Sequence, residues 1–299
     1  MGLKIGLVGG ASVYHGMAFA EMFNGYDKEK SLNLKWPAQH NARVADHARI
    51  THIWDENREH AREVADVCGI AHVVSEMEEM IGNVDGVMII DDCTMTHQRR
   101  ALPFLEKGIP TFIDKPLSSD VAEAERIVAL ARAHRAPLMS TSALCYAREV
   151  PEALKEANIG EIITGVSVCR EWMGNFTHYG IHAVALLYAI VGPGVESVRS
   201  VGKQAEDLVV VTFKSGKRFM VVSYEAITPV FQIHLYGSQG DVTIRVNDFD
   251  FAYSEMLRHF VNMVETGDEP EPLEHAIEII KTLALAERSR ESGKMLLLS

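Results

Sequence analysis

Three short stretches carry side chains of the kind that move protons or hold charged ligands. They are Asp114-Lys115-Pro116, His178-Tyr179-Gly180-Ile181-His182, and the turn Gly9-Gly10-Ala11-Ser12-Val13. A lone lysine is ordinarily a solvated charge. Lys115 differs because Pro116 fixes the chain direction after it and Asp114 stands beside it, so its ammonium is a candidate stabiliser of a developing anion. Histidines four residues apart lie on one face of a helix. His178 and His182 therefore read either as half-buried, hydrogen-bonded residues or as a proton-transfer pair. A metal site ranks behind both readings, because no carboxylate stands at ligand spacing beside them.

The glycine turn follows the apolar run 3–8. A turn that approaches a diphosphate needs glycine where backbone must come close, and a helix N-terminus to offer its N–H groups. In the G-x-G-x-x-G register Gly9 takes the first glycine position, Ala11 the second and Tyr14 the third, so the pattern is broken. Gly9, Gly10, Ala11, Ser12 and Val13 remain the backbone candidates for a cofactor. Asp55 ends the next apolar run. A carboxylate there accepts hydrogen bonds from the ribose hydroxyls of an adenosine and repels a 2′-phosphate, which favours NAD, with NADP the alternative. Arg58 is the residue that would partner such a phosphate. Asp55 is also a candidate N-cap for the helix that follows, and both roles can coexist.

These residues need a scaffold, and the periodicity supplies one. Apolar runs at 3–8, 50–54, 86–90, 111–113 and 138–141 alternate with helical patterns at 13–23, 57–68, 96–107 and 119–134. That rhythm means a parallel sheet with crossover helices on both faces. The polar segment 24–48 has no convincing period and reads as a long inserted loop; it accounts for the wide separation of Gly9 and Asp55. From about Tyr146 the rhythm changes. A strand at 162–170, an apolar helix at 177–191, two hairpins (208–213 with 218–224, and 233–236 with 242–246), helices at about 254–266 and 273–289, and a short strand at 295–298 predict an antiparallel sheet with helices. The expected organisation is an α/β Rossmann-type, doubly wound domain over 1–144. An α+β domain with a mainly antiparallel, open-faced sheet follows over 145–299.

With 299 residues, 47% hydrophobic and 23% charged, the chain can bury two ordinary cores. A formal charge of −12 argues against a grip on nucleic acid or on an anionic membrane surface. Four scattered cysteines without a C-x-x-C pair fit a reducing cytoplasm, and residues 1–9 do not read as a signal peptide. In the strand 218–224, Phe219 and Val221 alternate with Met220, Val222 and Tyr224, so both sheet faces are apolar. Burial of the outer face against a second copy, as a homodimer or homotetramer, is expected.

The order of the motifs resembles the glucose–fructose oxidoreductase/inositol dehydrogenase/MocA family of nicotinamide-dependent oxidoreductases. The resemblance runs through the strand–glycine turn, Asp55, Thr96-His97 leading to Ala101-Leu102 and Gly108, Asp114-Lys115-Pro116 (the family has Glu-Lys-Pro), and His178-x-Gly180-x-His182 (the family has Asp-x-Gly-x-His). It continues through Tyr236-Gly237-Ser238-Gln239-Gly240 and Gly267-Asp268-Glu269-Pro270. What it implies is an NAD-dependent oxidoreductase acting on a hydroxyl or ketone of a sugar or polyol. In that reading Lys115 holds the substrate hydroxyl and the cofactor ribose, with Asp114 beside it. His182 removes the hydroxyl proton as hydride leaves the same carbon, and His97 lies near the nicotinamide. The departures are His178 and Ala185 where the family has Asp, and Asp91-Asp92-Cys93 where it has small residue-Thr-Pro. Asp92 thus adds a carboxylate along the cofactor path. These departures motivate the rival expectation of a non-catalytic, ligand-binding or regulatory protein on the same fold.

Overall fold

The computed structural model describes residues 2–36, 38–90, 96–172 and 174–298. In chain order its elements are β1 (Leu3–Val8), α1 (Tyr14–Asn24), α2 (Lys28–Asn33), β2 (Ala48–Trp54), α3 (Arg58–Cys68), β3 (His72–Val73), β4 (Gly86–Ile89), α4 (His97–Leu105), β5 (Thr111–Ile113), α5 (Val121–His134) and β6 (Leu138–Met139). There follow α6 (Glu149–Ala157), β7 (Ile162–Arg170), α7 (Phe176–Val191), β8 (Val195–Ser200), β9 (Glu206–Phe213), β10 (Arg218–Tyr224), β11 (Phe231–Gly237), β12 (Asp241–Arg245), α8 (Phe249–Thr266), α9 (Leu273–Ser292) and β13 (Leu296–Leu297). They form two compact units. One is Met1–Ser118, Ala122–Ser140 and Tyr253–Leu273; the other is Ser119–Val121, Thr141–Ala252 and Glu274–Ser299.

The first unit is built on a six-stranded sheet of order β3-β2-β1-β4-β5-β6, parallel throughout. β4 is buried along its whole length, as is β1 from Ile5 to Val8, which is why both read as unbroken apolar runs. The strand order reverses between β1 and β4. In open α/β sheets the carboxyl ends of the strands at such a reversal are where ligands bind. The core joins Phe19 of α1 to Phe112 of β5 and Phe112 to Phe260 of α8, with ring centroids 6.2 and 5.9 Å apart. That last contact explains a difference from the sequence expectation. Residues 253–273, assigned above to the second domain, belong to the first unit because the apolar face of α8 packs on its sheet. The segment 24–48 also differs, since it contains α2, held by the Asp27 side chain accepting from the N–H groups of Glu29 and Lys30.

The second unit has a seven-stranded sheet of order β12-β11-β7-β10-β9-β8-β13. Only β7 and β10 run parallel; every other pair is antiparallel, so the expected architecture is observed. Alternate residues of β9 and β10 (Val209, Val211, Phe219, Val221) point into the core. α7 lies against that face, and the Ser167 hydroxyl of β7 donates to the Ala183 carbonyl of α7 at 2.7 Å. Leu208, Val210, Met220, Val222 and Tyr224 lie on the opposite face and are half-buried.

Candidate active site

At the carboxyl end of β1 the chain turns through Gly9 and Gly10, both at positive φ (75° and 77°), a conformation that favours glycine. The Gly9 N–H donates to the Trp54 carbonyl of β2 at 2.7 Å. Helix α1 then starts at Tyr14, so Gly16 is its third residue, and a Cβ on Gly16 would collide with the Gly10 carbonyl. Gly16, and not Tyr14, therefore takes the third-glycine role of close helix–turn packing. The turn is longer than the usual pattern assumes, which shifts the register. Val13 occupies the N-cap without a capping side chain, so its side chain takes none of the first N–H groups of α1. Ala11 is buried and Ser12 exposed.

Asp55, at the tip of β2, accepts the Ala11 N–H on Oδ2 (3.0 Å) and the Asn57 N–H on Oδ1 (2.8 Å). It ties the glycine turn to β2. The N-cap of α3 is Asn57, whose side chain accepts from Glu59 and His60, so the capping role considered for Asp55 falls to its neighbour. Arg58 is exposed on the first turn of α3. Asp92 lies outside the described residues.

At the end of β5, Asp114 and Lys115 are buried, 4% and 6% exposed. Asp114 accepts the Lys115 N–H on Oδ1 (2.9 Å) and pairs with His15 Nδ1 through Oδ2 (2.6 Å). His15 Nε2 lies 3.0 Å from the Tyr253 hydroxyl. Burial opposes the charge on Asp114, but His15 and Lys115 outweigh it and hold the carboxyl down at about 2. An ionised Asp114 can only accept, so His15 carries its proton on Nδ1 and, when neutral, accepts from Tyr253 at Nε2. Burial pushes the Tyr253 phenol up, which keeps it a neutral donor. His97 is fully buried at the start of α4, and its Nδ1–H donates to the Leu117 carbonyl at 3.3 Å, which fastens α4 to the segment after Lys115. The structure thus gathers the glycine turn, Asp55, His97, Asp114 and Lys115 in one unit and adds His15 and Tyr253. Sequence reasoning missed both additions; a histidine on the first turn of the helix after a glycine turn was the signal for one, whereas Tyr253 lies too far along the chain to be linked.

In the second unit, His178 and His182 sit half-buried, one turn apart on α7. Asn175 caps the helix, its side chain accepting the His178 N–H at 3.0 Å. His182 Nδ1 lies 2.9 Å from the Ser142 hydroxyl, and its ring packs edge-on to Phe231 at 5.2 Å. Ser142 Oγ also accepts the Leu144 N–H at 3.3 Å. This fixes the imidazole plane. Among the described residues no group of three or more His, Cys, Asp or Glu side chains is arranged to hold a metal ion. No described helix is long and apolar enough to cross a membrane.

The residues of the first unit fit a dinucleotide: a turn with glycines at positive φ, a helix N-terminus without a side-chain cap, and a carboxylate at the tip of β2. The comparisons agree. A family model described as an oxidoreductase family with an NAD-binding Rossmann fold, Gfo/Idh/MocA, matches residues 4–142. An inositol 2-dehydrogenase of Cereibacter sphaeroides is 30% identical over 129 residues, which are 43% of this chain and 32% of that enzyme; the chain thus matches about a third of its curated relative's length. The myo-inositol dehydrogenase of Lactobacillus casei, solved with NAD(H) and myo-inositol, superposes with a TM-score of 0.81 at 16% identity over 100% of this chain and 97% of that one. That of Corynebacterium glutamicum superposes with a TM-score of 0.81 at 16% identity over 100% and 99%. At such identities the likeness shows the fold. Residues 4–142 thus match the Gfo/Idh/MocA oxidoreductase family and carry a fold of the NAD-binding Rossmann type.

Proposed function

We propose that the protein is an NAD-dependent dehydrogenase that oxidises a secondary hydroxyl of a sugar or cyclic polyol to the ketone, or runs the reverse reduction. The observation that carries the reading is Lys115: a buried ammonium at the carboxyl edge of the parallel sheet, in the same unit as the glycine turn and backed by an ionised Asp114. Gly9, Gly10, Ala11, Val13 and Asp55 hold the cofactor, which when bound supplies the hydride acceptor. Lys115 orients the substrate hydroxyl and stabilises the alkoxide character that develops on it. His182 takes the hydroxyl proton, with Ser142 fixing its ring. The inositol dehydrogenases among the similar proteins support the polyol class. The test is a fluorescence titration with NAD and NADH, followed by rates across inositols and aldoses. Failure to bind either cofactor at millimolar concentration refutes the reading. Tight binding without turnover across the panel favours a ligand-binding protein.

Two further features belong to this reading. The apolar outer face formed by Leu208, Val210, Met220 and Val222 is buried against a second copy in a homodimer or homotetramer. A monomeric mass by light scattering at micromolar concentration refutes this. The cysteines Cys68 and Cys169, buried and outside any disulfide, fit a reducing cytoplasm.

A further inference from the structure

The tip of β2 carries a charge arrangement that the proposed reaction does not use. Trp54 ends the strand, Asp55 follows, and Glu56 comes next. One oxygen of Glu56, Oε1, takes two guanidinium groups from the first turn of α4: Arg99 Nη2 at 2.9 Å and Arg100 Nη2 at 3.2 Å. The two arginines differ in kind. The Arg99 side chain is 67% exposed and that of Arg100 only 8%. The Arg100 guanidinium lies over the Trp54 ring, 5.4 Å from its centroid, and its Nη1 comes so close to the glycine turn that a Cβ on Gly9 would collide with it. Arg100 is thus ordered in advance between the indole and the first glycine, with a second, exposed cation beside it.

Two guanidiniums converging on one oxygen, one of them fixed by stacking, is the chemistry that recognises a phosphate dianion. Here a carboxylate of the chain itself sits in that position. Its neighbour Asp55 is the residue expected to meet the adenosine ribose, where NADP differs from NAD by one phosphate. We infer that Glu56 sets the cofactor preference of this protein, occupying the Arg99 and Arg100 guanidiniums so that the 2′-phosphate of NADP meets a carboxylate where it would otherwise meet two cations. The inference rests on the NAD reading and adds the residue that enforces it. A 2′-phosphate placed there adds close to two negative charges beside the carboxylates of Asp55 and Glu56, and removing the Glu56 charge lowers that repulsion. Hydrogen bonding from Arg100, then the charges of both arginines, hold the Glu56 carboxyl below the usual carboxylate range, so the clamp persists at neutral pH.

The test is binding alone. Wild type, Glu56→Gln and Glu56→Gln/Arg99→Ala are titrated with NADH and NADPH by nicotinamide fluorescence, and with 5′-ADP and 2′,5′-ADP by calorimetry. Glutamine keeps the size of the side chain and removes its charge. Wild type is expected to prefer NADH. In Glu56→Gln the NADPH-to-NADH affinity ratio rises about 10- to 100-fold, the worth of one charge-assisted hydrogen bond. The 2′,5′-ADP-to-5′-ADP ratio rises with it, and removal of the exposed Arg99 reverses part of both gains. An unchanged ratio in Glu56→Gln, or a wild type that binds NADPH as tightly as NADH, overturns the inference while NADH binding leaves the NAD reading standing. Loss of all binding to wild type overturns both.

Discussion

Replacement of Glu171 by glutamine is expected to abolish a pH dependence of stability that the second unit now carries. Glu171 follows β7 and is fully buried; Asp207 of β9 is buried equally. Burial raises the Asp207 carboxyl, but its Oδ1 pairs with Arg290 Nη1 of α9 at 2.6 Å, which makes it the better placed of the two to hold the charge. Two adjacent buried carboxyls cannot both be charged at tolerable cost, and the Arg290 ion pair is made with Asp207, so the proton resides on Glu171. Burial first, then the Asp207 charge, push the Glu171 carboxyl up to about 7. The sign follows from proton binding. Between the unfolded value near ~4.3 and the folded value of about 7 the native protein holds a proton that the unfolded chain has released, so stability falls as pH rises through that window. At ~1.4 kcal/mol per unit the loss over the whole window is on the order of 4 kcal/mol. Glutamine donates an N–H to Asp207 at every pH and has nothing to lose. Urea unfolding of wild type and Glu171→Gln at pH 5, 6, 7 and 8 cancels every other titrating group in the difference. The variant should gain on wild type by on the order of 3 kcal/mol between pH 5 and 8, most of it by pH 7. Parallel curves across that range would show that the proton is not where the structure puts it.

Three other outcomes are expected. Lys115→Met and His182→Ala should each lower turnover by about 100-fold or more while leaving the dissociation constant for NAD, read by fluorescence titration, within a few-fold. Ser142→Ala should lower kcat about tenfold and move the acidic limb of its pH profile, and Ser142→Thr should restore both, because the hydroxyl acts through the His182 ring. Gly16→Ala should cost about 2 kcal/mol or more in urea unfolding and weaken NAD, since its Cβ meets the Gly10 carbonyl.

What could be read in the sequence were features set by local periodicity. β5 and β7 fall on the expected residues, and both hairpins of the second sheet pair as their turn residues require. β8 escaped because its pairing with β9 shifts register between Val195 and Ser197, which breaks the alternation that marks a strand. α2 is six residues long and has no apolar stripe; its definition comes from the Asp27 cap. The candidate site was legible where one residue type in a turn carries the meaning, as with Gly9, Asp55 and Lys115. It was not legible where meaning depends on distant chain: Asp114 to His15, His15 to Tyr253, and Ser142 to His182 join residues 99, 238 and 40 positions apart. The third glycine was misplaced because a fixed spacing was assumed for a turn whose length the helix start alone defines.

The departures at the glycine turn and at position 114 account for one another. Where the family resemblance expects Glu, this chain has Asp114, one methylene shorter, so its carboxylate reaches less far from β5. The lengthened turn delays the start of α1 and puts His15 on its first turn, where Nδ1 meets that shortened carboxylate at 2.6 Å. Asp114 then spends one oxygen on His15 and the other on the Lys115 N–H. A link therefore runs from the first turn of α1 to the backbone that carries the Lys115 ammonium. Restoring either feature alone would break it: Glu at 114 would drive its carboxylate into the His15 ring against Phe19, stacked at 5.3 Å, and a shortened turn would withdraw the imidazole from Asp114. The two changes preserve one distance, and that distance sets where Lys115 stands relative to the glycine turn.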